Sequence, residues 1–308
     1  AVLPGRAPAP WPIAIVLTLA LLVPAPFVIA RTMDDRPRSA WLSRGFDVLY
    51  FVHWCSLVAM FLPTVALSLV EFVVLGSTRG TWITPTYAPI GSYVASLALA
   101  AWSVGIRRHW FHVVEKDIAI PGLPTAFHGY RVVHLSDLHI GSMTSQGTLD
   151  RWIAAANEAK ADLIVLTGDY VTNGTAFHAL IASTVGRLRA SDGVFASMGN
   201  HDYFGEGQPL IGLLEHEGVH VLRNEGRLLQ RGGASVYLAA IDDTWTKRAD
   251  VDQALTGRPA DTRTILLAHD PDAWPLAKAK GVELTLSGHT HGGQVAVPFL
   301  ARRFSLSH

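Results

Sequence analysis

Five short patches of potential metal ligands occur in the second half of the chain. In order, they are Asp137-Leu138-His139, Gly168-Asp169, Gly199-Asn200-His201-Asp202, Ala268-His269 and Gly288-His289-Thr290-His291. Mixed oxygen and imidazole donors suit divalent transition-metal ions. A pair of such ions can neutralise the charge on a phosphoester and generate hydroxide near neutral pH. The patches therefore predict a two-metal phosphoesterase site.

Apolar, β-branched runs precede all five patches. They cover residues 131–135, 163–166, 194–198, 264–267 and 282–286. Runs of this length and composition predict buried β-strands. In open α/β sheets, ligands bind at the carboxyl ends of the strands. The predicted fold class is therefore α/β, with the site where these strands end.

Amphipathic segments alternate with the strands and predict helices that cover a sheet. The clearest helical patterns span residues 148–160 and 177–188, and weaker ones span 208–217 and 251–255. Residues 219–229 and 235–241 predict further strands, with a turn at Gly232-Gly233. We therefore expect a second sheet packed on the first.

The chemistry of individual residues indicates how they could share two ions. Asp169 is the candidate bridge, because the preceding Gly168 permits a tight turn and the aspartate side chain is short. Asp137 and His139 are two residues apart on an extended segment, so their side chains project to one side. Asn200 offers a neutral oxygen that adds no negative charge against an incoming phosphate. The remaining expected ligands are the imidazoles of His269, His289 and His291.

The ordered patches resemble the fingerprint D-x-H, G-D, G-N-H-[DE], H and G-H-x-H of the calcineurin-like metallophosphoesterase superfamily. The resemblance covers about residues 130–298. The sequences of residues 134–139 and 287–294 are similar to those of the membrane-associated branch that includes the YaeI and YkuE phosphodiesterases. The resemblance implies a two-sheet sandwich flanked by helices, and hydrolysis of phosphodiesters by a hydroxide that bridges two metal ions.

The resemblance also implies a role for each site residue. One ion would be held by Asp137, His139, Asp169 and His291, and the other by Asp169, Asn200, His269 and His289. His201 would face the phosphate and protonate the leaving oxygen, while Asp202 would orient its ring. The two divalent ions could be manganese, iron, zinc or nickel.

The first third of the chain predicts a membrane region. The whole sequence of 308 residues is 49% hydrophobic and only 16% charged, with a mean hydropathy of +0.27. Residues 11–30, 48–70 and 87–106 are each long enough to cross a bilayer, which needs roughly 20 apolar residues per helix. We therefore expect a membrane region at 1–109 with about three transmembrane helices, and a catalytic domain at 110–308. His53, inside the second segment, is expected to pack or to form an interhelical hydrogen bond.

The distribution of basic residues predicts the orientation of these segments. Four arginines lie between the first two segments, and Arg107 and Arg108 follow the third. Because basic loops remain cytoplasmic, the catalytic domain is expected on the cytoplasmic side of the cell membrane as part of a multi-pass protein. The chain starts at Ala1 without a methionine and stops at His308, soon after the last patch, so we expect a fragment whose domain is truncated at its C-terminus.

The functional hypotheses differ in substrate and in turnover. The first is a membrane-anchored phosphodiesterase whose partners are the bilayer and a lipid-linked phosphate or pyrophosphate. The alternatives are a phosphomonoesterase or cyclic-nucleotide hydrolase, and a metal-bound regulatory module without turnover. No nucleic-acid partner is expected, because 25 basic residues balance 25 acidic ones and no basic stripe stands out. The oligomeric state and the natural substrate stay open.

Overall fold

A computed structural model describes residues 45, 48–75, 87–107, 110–141 and 144–291. Two helices lie ahead of the catalytic residues, α1 at Val48–Leu75 and α2 at Tyr87–Gly105. The Nδ1 atom of His53 on α1 lies 2.6 Å from the hydroxyl of Tyr93 on α2. The interhelical hydrogen bond expected of His53 is confirmed.

The helices α1 and α2 coincide with the second and third segments predicted to cross a membrane. In the part of the chain that the structure describes, however, no helix is both long enough and apolar enough to span a bilayer. This finding goes against the prediction of transmembrane helices in those two segments. The first predicted segment, residues 11–30, lies outside the described residues.

The first sheet contains four parallel strands in the order β1-β2-β3-β4. Its strands are β1 (Val132–Leu135), β2 (Leu163–Thr167), β3 (Val194–Ser197) and β4 (Val219–Val221). Connecting helices are α3 (Gln146–Glu158), α4 (His178–Val185) and α5 (Gly207–His216). Helix α3 begins two residues before its predicted start, because the Ser145 side chain caps it by accepting from the backbone N–H of Thr148.

The second sheet contains four strands in the order β5-β6-β7-β8. Strand β5 (Glu225–Arg231) is antiparallel to β6 (Ala234–Ala240), and β6, β7 (Thr264–Leu267) and β8 (Leu284–Leu286) are parallel. The predicted turn at Gly232-Gly233 joins β5 to β6, with both glycines at positive φ. Short helices α6 (Val251–Ala254) and α7 (Trp274–Ala279) precede β7 and β8.

Successive side chains of β2 point alternately into two hydrophobic cores, which hold the layers together. Leu163 and Val165 are fully buried in the core between the two sheets, where Leu238 and Leu267 of the second sheet also lie. Ile164 and Leu166, which point to the other face of the strand, lie in the core beneath α3, α4 and α5. A third core lies between the second sheet and the helices α6 and α7. The two-sheet sandwich flanked by helices is confirmed.

One predicted strand is wrong. Residues 219–229 do not form a single strand, because β4 ends at Val221 in the first sheet and β5 begins at Glu225 in the second. Asn224 adopts a left-handed backbone with φ 55°, and its side-chain oxygen accepts from the N–H groups of Asp242 and Asp250. The chain therefore crosses between the sheets within the polar run Arg223-Asn224-Glu225, which separates the two strands.

Candidate metal centre

The expected ligands lie in the loops that follow the carboxyl ends of five strands. Loops after β1, β2 and β3 carry Asp137, Asp169 and Asn200, and loops after β7 and β8 carry His269 and His289. The two sheets meet at this edge, where Nδ1 of His269 donates to the carbonyl oxygen of Thr167 at 2.6 Å. The sandwich therefore brings the predicted patches together.

The first group of ligands contains Asp137, His139 and His291, whose donor atoms all lie within 4.8 Å of one another. The Nε2 atoms of His139 and His291 are 3.1 Å apart. The Nε2 atom of His291 also lies 3.3 Å from Oδ1 of Asp137. Two imidazole nitrogens and a carboxylate oxygen thus converge on one small volume, as ligands of a single ion do.

The second group contains Asp169, His269 and His289, also within 4.8 Å of one another. Oδ2 of Asp169 lies 3.1 Å from Nε2 of His269 and 3.6 Å from Nε2 of His139, which belongs to the first group. The carboxylate of Asp169 therefore lies between the two groups, the location expected of a bridging ligand.

The buried side-chain oxygen of Asn200 indicates whether these residues suit metal ions. Its side chain is 4% exposed, and its Oδ1 atom is buried without a hydrogen-bond partner among the described residues. A buried oxygen without a donor is destabilising by about 1–3 kcal/mol, so such atoms usually serve a purpose. A divalent cation accepts this oxygen as a ligand, and the carboxylates and imidazoles around it are suitable donors for such an ion. The residues present fit two divalent metal ions.

Electrostatics couple Asp169 to His269. Burial disfavours the imidazolium of His269, but the hydrogen bond and the negative charge of Asp169 outweigh it and raise the pKa of His269 to about 9. Burial by itself would raise the pKa of Asp169. The hydrogen bond from His269 and the charge of that ring outweigh burial, so the pKa of Asp169 lies below its ordinary value. The carboxylate of Asp169 is thus held ionised, the form that binds metal.

Backbone carbonyls orient the imidazoles. Nδ1 of His139 lies 3.1 Å from the carbonyl oxygen of Val171, and Nδ1 of His269 lies 2.6 Å from the carbonyl oxygen of Thr167. A carbonyl only accepts, so each ring carries a proton on Nδ1 and directs Nε2 toward the site, where metal binding would displace any second proton. Burial lowers the pKa of His139, which favours the neutral ring needed of a ligand.

The ring of His201 lies beside the first group, 4.8 Å from the ring of His139 between centroids. Its Nδ1 atom donates to the carbonyl oxygen of Thr172 at 2.7 Å. The expectation that Asp202 orients this ring is therefore wrong, since a backbone carbonyl takes that place. With Nδ1 occupied, Nε2 of His201 is the ring atom available to a substrate.

Asp202 organises the backbone of the site instead. Its buried carboxylate accepts from the N–H groups of Asp169, Tyr170, Val171 and Gly199 at 2.8 to 3.3 Å. Burial, with the negative charge of Asp169, raises its pKa to about 7, and the N–H donors of Gly199, Val171 and Tyr170 oppose that shift by favouring the ionised form. The loops that carry Asp169 and Asn200 are therefore joined through one carboxylate.

Backbone strain is concentrated at the candidate ligands. Of nine residues other than glycine with positive φ among those described, five are expected ligands, with φ between 41° and 67°. These five are Asp137, His139, Asp169, His289 and His291. The left-handed region is sparsely populated by such residues and persists where the surroundings enforce it, typically at functional sites.

Sequence reasoning missed several residues that border the site. The backbone carbonyl of Thr172, three residues after Asp169, holds the ring of His201. Phe204 packs against the ring of His201 and Trp245 against the ring of His289, with centroids 4.7 and 5.5 Å apart. The position of Phe204, two residues after the third patch, was the available signal; Trp245 had none.

The geometry agrees with comparisons to known proteins. The profile of the calcineurin-like phosphoesterase family matches residues 130–293, more than half of the chain. The chain belongs to this family and is a metal-dependent phosphoester hydrolase.

Three relatives refine the comparison. The metallophosphoesterase YkuE of Bacillus subtilis is 32% identical over 217 residues, which cover 68% of this chain and 76% of YkuE. The phosphodiesterase YaeI of Escherichia coli is 29% identical over 64% of this chain and 72% of its own length. A Danio rerio protein described as a transmembrane protein with metallophosphoesterase domain is 29% identical over 92% of this chain and 68% of its own. The predicted resemblance to the YaeI and YkuE branch is confirmed.

Proposed function

We propose that this chain is a two-metal phosphodiesterase. The observation that carries the proposal is the location of Asp169, whose Oδ2 atom lies within 3.6 Å of an imidazole nitrogen from each ligand group. One ion would be held by Asp137, His139, Asp169 and His291, and the other by Asp169, Asn200, His269 and His289. When bound, two such ions neutralise phosphate charge and make water a nucleophile near neutral pH.

His201 would act on the leaving group. Its Nδ1–H is held by the carbonyl of Thr172, so in the imidazolium form the proton on Nε2 is the one that can pass to the departing alcohol oxygen. The ring also adjoins His139 of the first ligand group, which would place it beside a phosphate held there. The phosphodiesterase named YaeI among the relatives supports a diester substrate.

Metal-dependent hydrolysis tests the proposal. Bis-p-nitrophenyl phosphate would be supplied to the purified chain with manganese, next to p-nitrophenyl phosphate and a cyclic nucleotide. Asp169→Ala and His201→Ala are expected to lower kcat by about a hundredfold or more, because a ligand or a proton donor is lost. His216→Ala, which removes an imidazole whose side chain is 84% exposed, is expected to retain activity.

The remaining outcomes separate the alternatives. Faster turnover of p-nitrophenyl phosphate would make the chain a monoesterase, and preference for the cyclic substrate would make it a cyclic-nucleotide hydrolase. A folded chain with full metal content and no turnover of any ester would support the regulatory module. Loss of activity in His201→Ala with unchanged metal content would exclude that module, since a binding site needs no proton donor.

We also propose that the hydrolase acts in association with a membrane, on a lipid-linked phosphate or pyrophosphate. The support comes from the names of the Danio rerio and Bos taurus relatives, both described as transmembrane proteins, and from the apolar composition. Fractionation of expressing cells, with the membrane pellet washed at physiological salt, tests the association. Recovery of the chain in the washed membrane pellet is expected, and recovery in the soluble fraction would contradict it.

A further inference from the structure

Two large exposed aromatic side chains border the candidate metal centre. Phe204 is 44% exposed and its ring packs against that of His201. Trp245 is 65% exposed and its ring packs against that of His289. Large apolar rings that touch a polar centre and remain open to solvent are available to contact a ligand.

The two aromatic residues adjoin different parts of the centre. Phe204 contacts His201, whose ring in turn lies against His139 of the first ligand group. Trp245 contacts His289, which belongs to the second group. A phosphate held between the two groups would therefore have one aromatic ring on the side of His201 and the other on the side of His289.

The loop that carries Trp245 is held by its own hydrogen bonds. Oδ2 of Asp243 accepts from the N–H of Thr246 at 2.6 Å, on the far side of Trp245. The hydroxyl of Thr244 donates to Asp270 at 2.8 Å, which ties the loop to the residue after His269. The turn that carries Trp245 is therefore held by hydrogen bonds at both of its neighbouring residues.

The segment that carries Phe204 is fastened to this same loop. The hydroxyl of Tyr203 donates to Asp242 at 2.6 Å, and the guanidinium of Arg248 lies 4.6 Å from the centre of the Tyr203 ring. Arg223 donates a further hydrogen bond to Asp242 at 2.8 Å. The two aromatic positions therefore belong to one connected network, so little ordering is needed when a ligand binds.

We propose that Phe204 and Trp245 determine specificity by binding the two alcohol groups of a phosphodiester, each of which carries an apolar or aromatic substituent. The inference rests on the proposed phosphodiesterase function. Hydrolysis joins the oxygen of water to phosphorus, with loss of a water proton to solvent, and breaks the bond to one alcohol oxygen, which leaves with a proton from the His201 imidazolium. The leaving alcohol therefore lies against Phe204, next to His201, and the alcohol retained on the product lies against Trp245.

Two substrates with the same leaving group separate the two contacts. Bis-p-nitrophenyl phosphate has an aromatic ring on both alcohols, whereas methyl p-nitrophenyl phosphate keeps only a methyl group on the retained side. Phe204→Ala is expected to lower kcat/KM about tenfold for both substrates, and Trp245→Ala about tenfold for the first substrate only. The leucine variants Phe204→Leu and Trp245→Leu keep apolar contact and are expected to fall between wild type and alanine.

Two adjacent aromatic residues elsewhere in the chain provide matched controls. Trp110 and Phe111 are 54% and 41% exposed and lie outside the candidate centre, so Trp110→Ala and Phe111→Ala should leave both rates unchanged. Equal losses on both substrates in Trp245→Ala would overturn the assignment, and so would unchanged rates in both alanine variants. In either case, turnover of the diesters by the wild type would still support the proposed phosphodiesterase function. A wild type inactive on both diesters would instead overturn the proposed function itself.

Discussion

Oδ2 of Asp202 lies 2.9 Å from the backbone nitrogen of Asp169 and 2.8 Å from that of Gly199. One carboxylate oxygen therefore binds the two loops that carry the candidate bridging ligand and the Asn200 ligand. Asp202 itself contacts neither ion site through its side chain. Its contribution is to fix the backbone from which two ligands project.

Asp202→Asn is expected to lower both stability and metal affinity. An asparagine keeps one acceptor oxygen but turns an NH₂ group toward N–H donors, which leaves buried amides unpaired and destabilises by about 3 kcal/mol. Chemical denaturation and manganese titration at pH 8, above the pKa of about 7, would measure both effects. Asp150→Asn is the control, because its ion pair with Arg187 is about half exposed and contributes little. Equal stability of the two variants would refute the role of Asp202.

Gly199→Ala is expected to disable the centre. A Cβ atom at this position would lie 2.3 Å from Oδ1 and 2.5 Å from the backbone nitrogen of Asp169, so the Asp169 loop would have to move. A shift of that size in a shared ligand should reduce kcat at least tenfold, because ligand geometry sets the reactivity of the centre. Turnover of bis-p-nitrophenyl phosphate provides the measurement.

Gly212→Ala is the matched control for this substitution. Gly212 is exposed in the middle of α5, and no atom lies within 4 Å of a Cβ built there. Alanine is the better helix former by up to about 1 kcal/mol, so this variant should be active and slightly more stable. Full activity in Gly199→Ala would show that the loop tolerates the added methyl group.

Asn200→Ala is expected to weaken one metal site and leave the other occupied. The variant removes a buried oxygen that no described residue binds, so its loss should cost metal affinity by about tenfold or more and leave folding nearly unchanged. Metal content after desalting would be determined by plasma mass spectrometry. Asn157→Ala should show the reverse, since Asn157 binds the backbone at Arg187 and Arg189 and has no contact with the centre. Full metal content in Asn200→Ala would remove this residue from the ligand set.

Manganese is expected to raise the melting temperature of the chain. An ion present at a hundred times its dissociation constant stabilises by about 2.7 kcal/mol, which for a domain of this size corresponds to about 5 to 10 °C. Asp169→Ala should abolish most of the shift, because both ligand groups share this carboxylate. The increase should disappear with a chelator, and an unchanged melting temperature in wild type would speak against tight metal binding.

The sequence alone determined the strands and the ligand types. The apolar runs before each patch became β1, β2, β3, β7 and β8, because a short continuous run of apolar and β-branched residues is a local property of the chain. The order of carboxylates, amide and imidazoles predicted the chemistry, since it depends on residue type rather than on coordinates. The division of residues 219–229 between two sheets was missed, because the choice of strand partner depends on tertiary pairing and not on the local sequence.

The tertiary structure decided which residues meet. His139 and His291 are 152 positions apart in the chain, and nothing in their local sequences shows that their Nε2 atoms lie 3.1 Å from each other. The same reason explains the error at Asp202, whose sequence neighbour is His201 but whose carboxylate binds backbone amides more than 30 positions away. It explains also why Trp245 was overlooked, since the pairing of β6, β7 and β8 within the second sheet brings the loop after β6 to His289, which follows β8. Hydrogen-bond partners across loops are set by how the sheets pack, and that information is not local to any motif.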